Sequence, residues 1–143
     1  MSRAPHLGTV VITAMVLLVA ACGPQEGAVA ALAVGDCFDE PGSSSALEEV
    51  PVVACDEPHR FEVIGTVLLD DDAQPGPELE EEAVAACAGI FTSYVGVEPE
   101  DSELRQAALV PTAEGWADGD REALCLVTDP TGSLVGSVAG AGR

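Results

Sequence analysis

Four of the five cysteines, Cys37, Cys55, Cys87 and Cys125, are spread along the chain beyond its first 34 residues, and no two cysteines stand in a CxxC spacing. What they do depends on the compartment. Reduced thiols in a cytosolic protein read as ligands or catalysts, whereas an even number in a small exported domain reads as covalent crosslinks. Crosslinks would weigh heavily here. The chain has 143 residues, enough for one domain and no more, and only five aromatic side chains, Phe38, Phe61, Phe91, Tyr94 and Trp116. Its core must be built largely from Val, Leu, Ile and Ala, which bury little area each.

The compartment is read from residues 1–34. Arg3 supplies a positive start, and an apolar or small run follows from Val10 to Ala21. That run is short of the roughly 20 apolar residues that span a bilayer. It has the anatomy of a secretory signal. Leu18-Val19-Ala20-Ala21-Cys22 resembles the bacterial lipobox, in which the cysteine becomes the lipidated first residue of the mature protein. The resemblance implies a signal peptide over residues 1–21 and acyl chains on Cys22 that hold the protein at the outer face of the cell membrane. Residues 22–34, ending in GPQEGAVAALAV, are small and weakly patterned and read as a flexible tether. A domain is expected over residues 35–143.

Acids number 25 against five arginines and no lysine, a net charge of −20. Removing residues 1–21 takes away Arg3 and no acid, leaving −21. Such a chain repels phosphate backbones, so a nucleic-acid partner is excluded. At 48% hydrophobic it is too apolar for a disordered acidic tail.

In an oxidising compartment the four cysteines of the domain allow three connectivities, and the sequence does not choose among them. The sequential one, Cys37–Cys55 with Cys87–Cys125, closes two loops for roughly 3 and 4 kcal/mol. The stretch CDEPHRFEV, residues 55–63, gathers a thiol, carboxylates and an imidazole. Zinc needs about four ligands and a cysteine nucleophile needs its thiolate. An oxidised Cys55 supplies neither, and His59 is the one histidine left once His6 leaves with the signal. No metal and no cofactor are expected.

Along the domain, Val50–Ala54 and Phe61–Leu69 read as strands separated by Pro58. In the second, alternation puts Phe61, Val63, Gly65, Val67 and Leu69 on one face and Glu62, Ile64, Thr66 and Leu68 on the other. Pro41–Ser45 is a loop by composition, and Asp70-Asp71-Asp72 with QPGP forms an acidic, proline-bounded loop. Glu78–Val95 is predicted as one long helix, with Val84, Cys87, Phe91 and Tyr94 at helical spacing, glutamates in its first turns and Gly96 ending it. Leu104–Val110, Ala123–Thr128 and Ser133–Val138 read as strands, with the turn-rich PTAEGWADGDR between the first two. The expected fold is α+β, a mostly antiparallel sheet packed against one long helix and held by two disulfides.

These landmarks match a known pattern: Gly35-Asp36-Cys37-Phe38, Cys55 with Pro58-His59 and Glu62-Val63, Cys87, Phe91, Tyr94-Val95-Gly96, Pro111-Thr112, Trp116, Gly119-Asp120-Arg121 and Cys125. The domain resembles the septum-formation family of actinobacterial envelope proteins. Gln74 departs from the pattern, which often has an aromatic residue before Pro-Gly. The resemblance implies an exported, membrane-attached protein tied to the division septum. It brings no catalytic residues.

Five residues are candidates for partner contact or for structural motifs: His59, Glu62, Trp116, Asp120 and Arg121. A lone histidine lacks the partners that acid–base catalysis needs, so His59 is expected to hydrogen-bond a neighbouring backbone or carboxylate group. Trp116 is expected to cover an aromatic-poor core rather than to stand as a recognition anchor. The acidic turns at 70–72 and 118–120 lack the complete calcium-loop pattern. The leading expectation is a noncatalytic envelope lipoprotein with a protein or cell-wall partner. Two others stand beside it: an enzyme acting on wall polymers through carboxylates such as Glu62 or Asp120, and a cation-binding surface protein.

Overall fold

The computed structural model describes residues 25–40, 49–73 and 75–143. The stretch read as a signal peptide, Cys22, the loop expected over Pro41–Ser45 and Gln74 lie outside the described residues. Among the described residues, no helix is long and apolar enough to cross a membrane.

Among the described residues, six strands form one sheet: β1 (Gln25–Ala28), β2 (Cys37–Phe38), β3 (Glu49–Val53), β4 (Phe61–Leu68), β5 (Arg105–Leu109) and β6 (Glu122–Thr128). Their order is β1-β3-β2-β4-β6-β5, and every pairing is antiparallel. Two expectations need correction. Gln25–Ala28, placed in the tether, pairs with β3 as an edge strand and continues into a 3-10 turn at Val29–Ala31. The strand expected over Ser133–Val138 is a single bridge between Leu134 and His59. With Gly132 before it and Gly136 in the left-handed region at φ 83°, that segment cannot continue a ladder.

The sheet has apolar residues on both faces. On one, Phe38, Val50, Val63, Leu124 and Leu126 cluster, with Val29, Leu32, Val52 and Phe61 packed around them. Val50 on β3 and Leu124 on β6 belong to one cluster although β2 and β4 stand between their strands, which requires the sheet to curl. The other face carries the helices. Ile64, Cys87, Phe91, Val95, Leu104, Cys125, Val127, Leu134 and Val138 form one cluster there, and Leu69, Leu79, Ala83, Ala108 and Ala123 a second.

The long helix is two shorter ones, α1 (Pro77–Ala86) and α2 (Ala88–Val95), joined at Cys87. The buried positions Leu79, Ala83, Cys87, Phe91 and Val95 recur every fourth residue. Each step of four overshoots a full turn by about 40°, so the stripe winds by about 160° along a straight helix. No straight helix can keep it on one surface. Breaking at Cys87 lets α1 pack on β5 while α2 packs on β4. Pro77 opens α1, and Gly96 ends α2 in the left-handed region at φ 95°, donating to the Thr92 carbonyl.

The alternation expected for β4 also fails partway. Its ladder with β6 is interrupted between Val63 and Gly65, a bulge that leaves Ile64 unpaired. Before it, Glu62 faces the helices and Val63 the opposite core; after it, Gly65 and Val67 face the helices. Thr66 and Leu68 are exposed. Gly65 lies under α2, where a Cβ would stand 2.6 Å from Cγ2 of Ile90.

Candidate functional site

Two disulfides fix the frame. Cys37 at the start of β2 bonds Cys55 in the loop before β4, and Cys87 between the helices bonds Cys125 on β6. They close loops of 18 and 38 residues and are the sequential pairing of the three open ones. The second ties helix to sheet through a fully enclosed pair, while Cys55 in the first is half-buried.

Beside the first disulfide lies an unusual polar centre. Glu62 is 0% exposed, although it is a carboxylate. Its Oε1 accepts from the Tyr94 hydroxyl at 2.8 Å and from Ser137 Oγ at 2.6 Å, and its Oε2 from the Val138 N–H at 2.7 Å. The donors come from two places: Tyr94 from the end of α2, and Ser137 and Val138 from the C-terminal segment. That segment is stitched on further by Gly140 donating to the Tyr94 carbonyl and Gly142 to that of Val95. Three neutral donors thus satisfy a buried carboxylate. Desolvation raises the Tyr94 hydroxyl above the ordinary value for tyrosine, and its hydrogen bond to Glu62 raises it further.

His59 is buried at 1% exposure. Its backbone exchanges hydrogen bonds with Leu134, and its Nδ1 lies 2.8 Å from the Glu57 carbonyl, so that nitrogen carries the proton. Nε2 is buried without a partner. The expected contact with neighbouring backbone is present at one nitrogen and missing at the other. Cys37, His59 and Glu62 each offer a donor atom within 4.8 Å of the others. Among the described residues, this is the one group of three or more potential ligands that converges. The acidic turns at 70–72 and 118–120 do not form another.

Trp116, Asp120 and Arg121 meet at the far end of the same strand pair. Thr112 caps α3 (Ala113–Ala117), its Oγ1 accepting from the Gly115 N–H at 3.1 Å. The sequence reading treated this stretch as turn; the Thr at its head was the available signal. Trp116, half-buried, packs against the cluster of Leu69, Leu79 and Ala123, which is the covering role expected of it. The Arg121 guanidinium lies 3.9 Å over its ring, donates to the Trp116 and Asp120 carbonyls at 2.8 Å each, and meets Asp71 Oδ1 at 3.0 Å. Asp120 is exposed and accepts from the Glu122 N–H at 3.0 Å.

Glu62 and Asp120 therefore do not form a carboxylate pair. Glu62 is opposite Val127, whereas Leu69 N–H donates to the Arg121 carbonyl. About six residues of strand separate the two acids, roughly 20 Å, while paired glycosidase carboxyls stand about 5–10 Å apart. His59 and Glu62, both enclosed, are not surface contacts for a partner either.

No curated protein and no solved structure matches the chain. The family model described as septum formation matches residues 34–141, from the entry into β2 to the segment that closes on α2. That span takes in both disulfides, the Glu62 centre and the Trp116–Arg121 cluster, and the chain belongs to the septum-formation family, which ties it to cell division and the cell envelope.

Proposed function

We propose that this chain is an exported lipoprotein, anchored through acyl chains on Cys22, whose domain is a noncatalytic module that binds a partner in the cell wall or division machinery. The observation that carries the reading is the burial of Glu62. The carboxylate best placed for chemistry accepts three hydrogen bonds from the fold itself and presents no face to solvent. What the domain does present is acid, including the exposed glutamates of α1 and Asp70, Asp71 and Asp72. A surface of that sign selects a basic partner and speeds its capture.

Two measurements test the two halves. Metabolic labelling with palmitate should mark the wild-type chain and leave Cys22→Ala unlabelled and released from membranes; equal labelling of both rejects the anchor. Crosslinking in living cells should recover a basic envelope protein or wall fragment, and recovery should fall when the four glutamates of α1 are changed to glutamine. Recovery of nothing above background rejects the binding module.

A further inference from the structure

We propose that the Cys37–Cys55 disulfide covers a latent zinc site: once that bond is reduced, Cys37, Cys55, His59 and Glu62 close on one tetrahedral Zn2+. The inference does not rest on the binding role proposed above. It starts from the enclosed Nε2 of His59, which has no hydrogen-bond partner. A buried polar atom left alone costs free energy and asks for a ligand. Its ring is already set as metal-bound imidazoles are set, with the other nitrogen donating to a backbone carbonyl, here Glu57 at 2.8 Å.

Two of the remaining ligands, Cys37 and Glu62, already stand near His59, and Cys55, outside that group, must swing in from its bond to Cys37. Cys37, His59 and Glu62 hold donor atoms within 4.8 Å of one another, and all three residues are buried. Cys55 Sγ is bonded to Cys37 Sγ, so reduction leaves the second sulfur beside the first. Glu62 Oε2 accepts a single hydrogen bond, from Val138, and keeps a lone pair for a metal. Zinc–ligand bonds of about 2.0–2.3 Å put tetrahedral ligands roughly 3.3–3.8 Å apart. The cluster needs to contract by about 1 Å, and the two sulfurs to part by somewhat more. Two thiolates, one carboxylate and a neutral imidazole around Zn2+ leave a net −1, the same as a Cys3His site.

The chemistry balances with a dithiol as the reductant. Its thiolate attacks one sulfur of Cys37–Cys55, a mixed disulfide forms, and the second thiol closes the reductant's own ring disulfide. Two electrons and two protons pass to the cysteines. Zn2+ then displaces both thiol protons to solvent. A disulfide oxidant reverses the sequence: it takes two electrons, re-forms the cystine and releases the metal. Half-buried Cys55 makes this bond the more accessible of the two, since Cys87 and Cys125 are 1% and 0% exposed.

The full chain, treated with a dithiol that is then removed under argon, is titrated with Co2+. Alkylation and mass spectrometry report which cysteines are free. The expected result is one Co2+ per chain, with the intense visible bands of tetrahedral cobalt and a thiolate charge-transfer band, displaced by one equivalent of Zn2+. The oxidised chain should show none of these. His59→Ala and Glu62→Gln should each weaken Co2+ tenfold or more. Because either variant could unfold, the wild type gives a second reading: Zn2+ should slow reoxidation of Cys37 and Cys55 without changing that of Cys87 and Cys125. Octahedral cobalt spectra, unchanged binding in His59→Ala, equal protection of both cysteine pairs, or a reduced chain that stays unfolded with metal present would each overturn the proposal.

Discussion

At one end of the β4–β6 ladder Glu62 lies opposite Val127, enclosed and bonded by three donors; at the other, Leu68 lies opposite Glu122, and Asp120 and Arg121 sit in the turn beyond. Both ends carry acids, an aromatic residue and a short motif, Pro-His at one and Trp-x-x-Gly-Asp-Arg at the other. They spend them differently. The Glu62 end joins three separate stretches of chain through side-chain hydrogen bonds, β4, α2 and the C-terminal segment, and the loop before β4 is tied to that segment by the backbone of His59. The Arg121 end is local, with Thr112, Gly115, Trp116, Asp120 and Arg121 bonding one another, and Leu69 and Asp71 reaching in from the end of β4 and the loop after it. Long-range polar centres organise a fold, whereas local ones shape a turn.

The largest expected effect tests that contrast directly. Glu62→Ala leaves the Val138 N–H, the Tyr94 hydroxyl and Ser137 Oγ without their acceptor, and should cost about 2–4 kcal/mol in urea denaturation. Asp120→Ala removes one exposed acceptor and should cost under about 1 kcal/mol. Equal losses would erase the distinction between the two ends.

Between them stands Gly65, where β4 changes face. Gly65→Ala drives a Cβ to 2.6 Å from Ile90 Cγ2, an overpacking expected to cost about 1–3 kcal/mol. Ile90→Ala removes that atom and leaves Ile90 Cβ, whose 3.7 Å separation is ordinary contact. The double variant should therefore be more stable than the sum of the singles, with a coupling of about 1 kcal/mol or more. Strict additivity would mean that α2 can lift away and that the bulge does not fix its distance.

Much of this architecture was legible in the sequence. The strands β3, β4, β5 and β6, the helical stretch, the stop at Gly96 and the covering role of Trp116 follow from periodicity and end signals. The disulfides were legible as a count, since spacing cannot say which sulfurs meet. The failures share a cause. The bulge at Ile64 and the break at Cys87 arise where a regular element meets a curled sheet, and curl is a property of several strands together. A strand's alternation predicts faces only while its register holds. The hydrogen-bonded centre at Glu62 was not legible, because its three donors come from residues 32, 75 and 76 positions away. No local pattern announces donors that distant.

A smaller effect belongs to the Arg121 end. Arg121→Ala loses the stacking on Trp116 and the ties to two carbonyls, while its ion pair with the well-exposed Asp71 contributes little. About 1 kcal/mol is expected, with a shift in Trp116 fluorescence. Arg121→Lys should recover little of it, because an ammonium cannot lie flat on the ring and reach both carbonyls. Full recovery by lysine would show that charge alone holds this turn.

The mildest perturbation is alkaline pH, and it reads the Glu62 end through Tyr94. Burial, and then the hydrogen bond to Glu62, raise this hydroxyl above its ordinary 10.0. The folded chain therefore holds the phenolic proton more tightly than the unfolded chain does. Between pH 10 and the raised value the unfolded state has lost its proton and the native state has not, so stability falls as pH climbs through that window. Below pH 10 both states are protonated, and Tyr94 adds no slope. Tyr94→Phe has no proton to lose and should flatten the alkaline limb, while lowering the plateau by about 1 kcal/mol for the missing hydrogen bond. Trp116 and Arg121 variants should shift the whole curve and leave its alkaline slope alone. If Tyr94→Phe kept the full slope, the alkaline loss would have to originate in the deprotonation of some other group, and the coupling between α2 and Glu62 would rest on packing rather than on that proton.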